Sequence, residues 1–222
     1  STLYSPHQSA NFTAGQVDVI STTSNRLVSS IRVGGQPSSL CLSPDGRYLL
    51  VTNYNNFGGP NLSSVVVINL DDLSRQNYAM SNPPLSCAFG ADGAALIITT
   101  VDLVKFRSNG GTFEQVTTVA SLAQLALPVP SPTFPREITR GSMAASGDGN
   151  FIFGATDAFV FAYQVPSPSA VLYVRPTLSF VKPLGPPLVT ASFDGSYFMA
   201  GQYLLDRRLR VVAEHPDGDP SQ

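Results

Sequence analysis

The chain has 222 residues, of which 43% are apolar and 13% charged, and its formal net charge at pH 7 is −2. A chain of this length can bury a sizeable apolar core as one domain. Its low charge excludes a strongly basic nucleic-acid surface or polybasic membrane anchor, and no apolar run is long enough to span a membrane. We therefore expect no nucleic-acid partner and no membrane insertion.

Four Asp-Gly pairs divide the chain into repeats. They are Asp45 and Gly46, Asp92 and Gly93, Asp148 and Gly149, and Asp194 and Gly195, at intervals of 47, 56 and 46 residues. Asp followed by Gly suits a tight turn, because Asp binds nearby backbone N–H groups and Gly accepts a positive φ. With apolar runs on both sides, the pairs predict hairpins near residues 37–53, 84–100, 140–156 and 186–202. The pattern favours a structural role in turns over metal binding.

Further strands are predicted around these hairpins, in chain order. An N-terminal tail, residues 1–13, precedes a strand pair, and later pairs follow each of the first three hairpins. The predicted pairs are 15–20 with 27–33, 65–70 with 75–80, 103–107 with 113–119, and 159–163 with 171–174. The last hairpin is followed by apolar runs at 203–206 and 209–213, and residues 215–222 form a C-terminal tail. The best helix candidate, residues 120–127, is short and ends at Pro128, so we interpret it as part of a loop.

The repeat length predicts the fold class. About 47 residues is the length of one four-stranded blade, and a Pro-rich insertion explains the longer middle interval. The chain is thus predicted to be an all-β propeller of four-stranded antiparallel blades over residues 14–214, with about four to five blades present.

A known repeat family shares these residues. The first repeat reads Ser43-Pro-Asp-Gly46, then Val51-Thr52-Asn53, then a Val/Ile-rich strand that ends in Asn69-Leu70-Asp71. This pattern resembles the YVTN-type, surface-layer-like β-propeller repeat, with Leu50 in place of the Tyr of the motif. The resemblance implies a secreted, periplasmic or cell-surface propeller, often of seven blades and used mainly for binding. Related propellers include lactone hydrolases.

Two arrangements of the ring are compatible with the sequence. The N-terminal pair looks like the third and fourth strands of a blade whose first two strands are missing. The C-terminal hairpin could supply them, but residues 203–206 and 209–213 would then be surplus. We expect instead that the chain forms the first four and a half blades of a longer propeller, with the remaining blades on the same longer chain. A closed ring of four or five blades is the alternative.

The two cysteines are predicted to be free. Cys41 stands four residues before its aspartate and Cys87 five before its own, so they point to opposite faces of equivalent strands. Inner strands of adjacent blades are also expected to lie beyond the roughly 7 Å that a disulfide allows between Cα atoms. Both residues are therefore interpreted as small buried hydrophobes.

Catalytic groups are scarce in the sequence. Its two histidines, His7 and His215, lie in the terminal segments, which leaves no convincing Ser-His-Asp arrangement or three-histidine zinc site. Carboxylates pair in predicted turns, at Asp71 with Asp72 and at Asp217 with Asp219. Calcium at either pair is kept as an alternative to simple solvation. We predict no catalytic residue, no resident metal and no other cofactor.

A loop of the first blade is the predicted ligand contact. Tyr54, Asn55, Asn56 and Phe57 follow the second strand and would project at one face of the propeller with aromatic rings and amides. These groups suit a protein or carbohydrate ligand. The sequence therefore predicts a non-catalytic extracytoplasmic binding or structural module, either by itself or as a fragment of a larger cell-surface protein. The alternative is a lactonase-like hydrolase with a divalent metal in the central channel.

Overall fold

The computed structural model describes residues 2–7, 15–54, 63–109, 112–121, 137–165, 172–185 and 187–215. These segments form one three-stranded and four four-stranded antiparallel sheets, each with its strands in chain order. Within the described residues the only helical element is one 3-10 turn, Thr177–Ser179.

Each sheet is a meander of consecutive strands. The first sheet contains β1 (Thr2–His7), β2 (Gln16–Ser21) and β3 (Arg26–Arg32). We call the four-stranded sheets blades 1 to 4. Blade 1 contains β4 (Pro37–Leu42), β5 (Tyr48–Asn53), β6 (Ser64–Asn69) and β7 (Arg75–Ala79), and blade 2 contains β8 (Pro84–Phe89), β9 (Ala94–Thr99), β10 (Asp102–Asn109) and β11 (Thr112–Ser121). Blade 3 contains β12 (Gly141–Ala145), β13 (Phe151–Thr156), β14 (Phe159–Gln164) and β15 (Leu172–Pro176), and blade 4 contains β16 (Val189–Ala191), β17 (Tyr197–Ala200), β18 (Tyr203–Asp206) and β19 (Val211–Glu214).

The sheets stack through their apolar faces. Successive side chains of a strand point to opposite faces, so a strand between two neighbouring sheets is apolar along its whole length. In β9, for example, Leu96 and Ile98 pack toward blade 3, whereas Ala95 and Ile97 pack toward blade 1. A separate apolar cluster fills each space between neighbouring sheets. The first strands of the blades, β4, β8, β12 and β16, also contact one another in that order.

This arrangement confirms the predicted all-β propeller fold. All four predicted hairpins are present, and the bounds of the third and fourth strands lie within two residues of the predicted ones. The apolar runs after the last hairpin are not surplus, because β18 and β19 complete blade 4. The C-terminal hairpin therefore does not supply the missing strands of the first sheet.

The first sheet has one more strand than the sequence indicated. Thr2–His7, within the segment predicted as a tail, pairs with β2 in antiparallel register. β1 contacts β4, the innermost strand of the next sheet. The second strands β5 and β13 contact the innermost strands of their following blades in the same way, at β8 and β16 respectively. We therefore assign β1 to the second position of its blade, and no described strand fills the innermost position.

The prediction that the cysteines are free is wrong. Cys41 and Cys87 form a disulfide between β4 and β8, with Cα atoms 5.9 Å apart, because the innermost strands of neighbouring blades converge. The side chains do point to opposite faces of their own sheets: Cys41 faces blade 2 and Cys87 faces blade 1. In a stack of sheets, the face of one sheet that points to the following sheet meets the face of the following sheet that points back. The opposite facing of the two side chains thus permits the bond.

Candidate functional site

The Asp-Gly turns lie at one end of the blades and share one hydrogen-bond pattern. In each turn the aspartate Oδ1 accepts a hydrogen bond from the backbone N–H two residues later, and the glycine has φ between +65° and +72°. The four donors are the amides of Arg47 (3.1 Å), Ala94 (3.2 Å), Asn150 (3.0 Å) and Ser196 (3.0 Å). These carboxylates therefore hold the backbone of the turn.

A serine two residues before the aspartate reinforces three of these turns, a role that the sequence analysis missed. Its hydroxyl donates to the carboxylate at 2.5 to 2.9 Å and accepts a backbone N–H from the start of the second strand. The serines are Ser43, Ser146 and Ser192. Their shared place before Asp-Gly was the available signal.

The turn of blade 2 is built differently. Gly90 takes the place of the serine, and a Cβ there would lie 2.7 Å from Val165 Cγ1. Asp92 instead accepts a hydrogen bond from Lys105 Nζ at 2.7 Å and a longer contact from Arg107 at 3.4 Å. Asp92 and Lys105 are largely buried, with side chains 12% and 18% exposed.

Hydrogen bonds keep the turn carboxylates ionised. The hydroxyl and amide of Ser196, with the hydroxyl of Ser192, lower the pKa of Asp194 to about 2. The pKa of Asp45 is lowered by the Ser43 hydroxyl in the same way. Burial raises the pKa of Asp92, but the hydrogen bonds from Lys105 and the Ala94 amide outweigh it, and the net pKa is lowered.

A cleft of about 780 Å³ opens between the first two blades at this end of the molecule. Arg47 and Arg107 stand at its rim with side chains 57% and 52% exposed, and each is ion-paired, to Asp71 and Asp92 respectively. Tyr48 and Phe113 also line the cleft, with rings packed edge to face at 5.0 Å. The cleft thus combines guanidinium donors, carboxylate acceptors and aromatic surface. Sequence reasoning did not single it out, because its residues come from two repeats.

Of the predicted ligand loop the structure describes Tyr54, at the end of β5 opposite the Asp-Gly turn. Tyr54 is half-buried and packs against the cluster between blades 2 and 3, and its backbone N–H donates to the Gln36 carbonyl at 2.9 Å. Asn55, Asn56 and Phe57 lie outside the described residues.

Both aspartates of the first candidate calcium pair have partners within the protein. Asp71 is ion-paired to Arg47 at 3.0 Å, and Asp72 Oδ1 accepts the Ser74 amide at 2.8 Å. Asp217 and Asp219 lie outside the described residues. Across the described part of the chain, no three His, Cys, Asp or Glu side chains are grouped closely enough to hold a metal ion. No helix in that part is both long and apolar enough to cross a membrane.

Comparisons with known proteins support the fold assignment. No family model and no curated protein sequence matches the chain. Among solved structures it is similar to a periplasmic gluconolactonase of Pseudomonas aeruginosa, at 18% identity and TM-score 0.65, covering all of this chain and 69% of that one. It is also similar to the β-propeller domain of Cps50 (Swd1) from Myceliophteria thermophila, at 12% identity and TM-score 0.61, covering 92% of this chain and 58% of that one. TolB of Acinetobacter baumannii matches at 13% identity and TM-score 0.53, covering 92% and 46%. The fold and these likenesses define the chain as a β-propeller module.

Proposed function

We propose that this propeller is a non-catalytic binding or structural module that works outside the cytoplasm. The disulfide between Cys41 and Cys87 carries the proposal. Such bonds persist in oxidising compartments and are rare in the cytosol. One of the similar structures, the gluconolactonase, is named as periplasmic. The first repeat's resemblance to the YVTN type supports the same location.

The oxidation state of the cysteines in the source cells tests the location. Cells are lysed directly in acid, and the denatured protein is treated first with a light maleimide, then with a reductant, and then with a heavy maleimide. An extracytoplasmic module should carry two heavy labels and no light one. Two light labels would show a cytosolic, reduced protein and overturn the proposed location.

The cleft between blades 1 and 2 is the binding site we propose, with a carbohydrate as its ligand. Arg47 and Arg107 present exposed N–H donors for hydroxyl or carboxylate oxygens, and Tyr48 adds an aromatic surface. The site stands on a scaffold held by apolar packing and a disulfide, so its geometry is fixed before the ligand arrives.

An array of immobilised neutral and acidic oligosaccharides tests this site. The double variant Arg47→Ala/Arg107→Ala should lose at least tenfold in affinity for any glycan that the unchanged chain retains. Arg26→Ala is the matched control, because Arg26 is an exposed arginine on the first sheet, away from the cleft. Equal loss in the control, or retention of no glycan, would refute the carbohydrate site and leave a protein ligand for the cleft.

A lactonase-like hydrolase is the alternative, favoured by the likeness to the gluconolactonase. Such an activity would need acidic and amide side chains that converge on the central channel around a divalent cation. Elemental analysis of the purified chain and a pH-stat assay with gluconolactone, with and without added calcium, distinguish the two functions. A stoichiometric metal together with lactone opening above the spontaneous rate would overturn the non-catalytic proposal.

A further inference from the structure

The side of blade 4 that points away from blade 3 is an uncovered apolar face. Its central row is formed by Thr190, Met199, Leu204 and Ala213, which are paired across the four strands, with Tyr197 beside them. We call these five residues the open face. Tyr197 and Met199 are 47% and 42% exposed. The alternate side chains of the same strands, such as Phe198 and Leu205, are buried against blade 3.

The matching positions of the preceding blades are all buried by the next sheet. Leu50, Leu96 and Phe153 occupy the place of Met199 in blades 1, 2 and 3, and each is at most 1% exposed. Every one of these side chains is covered by the apolar face of a four-stranded blade. The open face therefore has the composition of a surface that a blade covers, and it differs from its counterparts only in lacking that cover.

The first sheet of the same chain does not fit the open face. Val17 and Val19 of β2 pack toward blade 1, so the alternate residue Asp18 points to the free side. There it accepts hydrogen bonds from Gln16 Nε2 at 2.8 Å and Ser30 Oγ at 2.6 Å. Closing the ring on itself would place this carboxylate opposite Met199 and Leu204, which offer no donor. Burial of a carboxylate in such a place is costly.

We propose that the open face is covered by a further four-stranded blade whose facing side is apolar, on a longer form of the same polypeptide. The lengths of the similar structures agree with this, since 31% of the gluconolactonase chain and 42% of the Cps50 chain have no counterpart in the 222 residues. The first sheet, with its polar free side, then meets a different blade.

The three methionines of the chain provide a direct test. Met80 is 7% exposed and Met143 is half-buried, so they serve as internal controls for Met199. The protein isolated from its source and the isolated 222-residue chain are exposed to dilute hydrogen peroxide, and sulfoxide at each methionine is followed by peptide mass spectrometry. In the isolated chain Met199 should oxidise at least tenfold faster than Met80. In the native protein the two rates should be equal.

Light scattering on the same native sample identifies what covers the face. Protection of Met199 in a monomer much heavier than 23.5 kDa supports the further blade. Protection in a dimer of 23.5 kDa chains would overturn it in favour of a second copy. Rapid oxidation of Met199 in the native protein would overturn it outright, because the face would then be exposed.

Discussion

The disulfide gives the sharpest prediction about what holds the first two blades together. Cys41 and Cys87 are 46 residues apart, and the chain-entropy relation for a loop of this length gives a loss of about 4 kcal/mol at 25 °C when the bond is removed. The double variant Cys41→Ala/Cys87→Ala removes the bond and leaves no thiol. With a urea m value of about 2 kcal/mol/M, the unfolding midpoint should fall by about 2 M.

Urea unfolding followed by far-UV circular dichroism measures this shift. The reductant dithiothreitol should bring the unchanged chain to the midpoint of the double variant and leave the variant where it was. The m value should also rise on removal of the bond, because the unfolded chain becomes less compact. Coincident unfolding curves for the oxidised chain and the double variant would refute the reasoning.

Three further predictions concern the packing and the turns. Gly154→Ala would place a Cβ 2.1 Å from a phenylalanine ring and should lower the free energy of unfolding by about 1–3 kcal/mol, as measured by thermal unfolding. Gly141→Ala, with its nearest atom at 3.5 Å, should leave that free energy almost unchanged. Equal effects of the two substitutions would contradict this. Lys105→Met should lower the free energy of unfolding by about 2 kcal/mol, because the Asp92 carboxylate loses its ion-pair partner Lys105. Adding Asp92→Asn should recover part of that loss. No recovery would exclude the charge explanation. The pKa of Asp194 is lowered from 3.8 to about 2, so its stabilising effect is complete above about pH 4 and is lost as the pH falls through 2; carboxyl NMR should give a midpoint near 2, and a midpoint near 3.8 would count against the turn network.

The strand pattern was predictable from sequence because its determinants are local. An Asp-Gly pair fixes a turn through one carboxylate hydrogen bond and one positive φ, and apolar runs on either side define the strands. The strands after each hairpin follow from β-branched runs such as Ser64–Asn69. By contrast, Thr2–His7 has polar and proline residues, so no local pattern identified it, and it is ordered as a strand by pairing with β2.

The cleft and the disulfide could not be predicted in the same way, because both join residues from different repeats. Arg47 and Arg107 are 60 positions apart and share a cleft only after two blades have stacked. The cysteines meet because faces of consecutive sheets oppose each other. A comparison of repeats by alignment treats each blade alone and does not represent this packing.

A one-residue difference in one connection changes how the second strand of blade 2 aligns with its counterparts. In blades 1, 3 and 4, six residues lie between the last paired residue of the first strand and the first paired residue of the second strand. In blade 2 only five residues lie there. Because side chains alternate between faces, this shortening reverses the face of second-strand positions counted from the aspartate and leaves the first strand unchanged. Leu50 and Ile97 both stand five residues after their aspartates, yet Leu50 faces the following blade and Ile97 the preceding one. The same shorter turn has Gly90 in place of the serine, and there Lys105 holds Asp92. The facing of Cys87 toward Cys41 needs no deletion, because Leu40 and Cys87 both stand five residues before their aspartates and both face the preceding sheet.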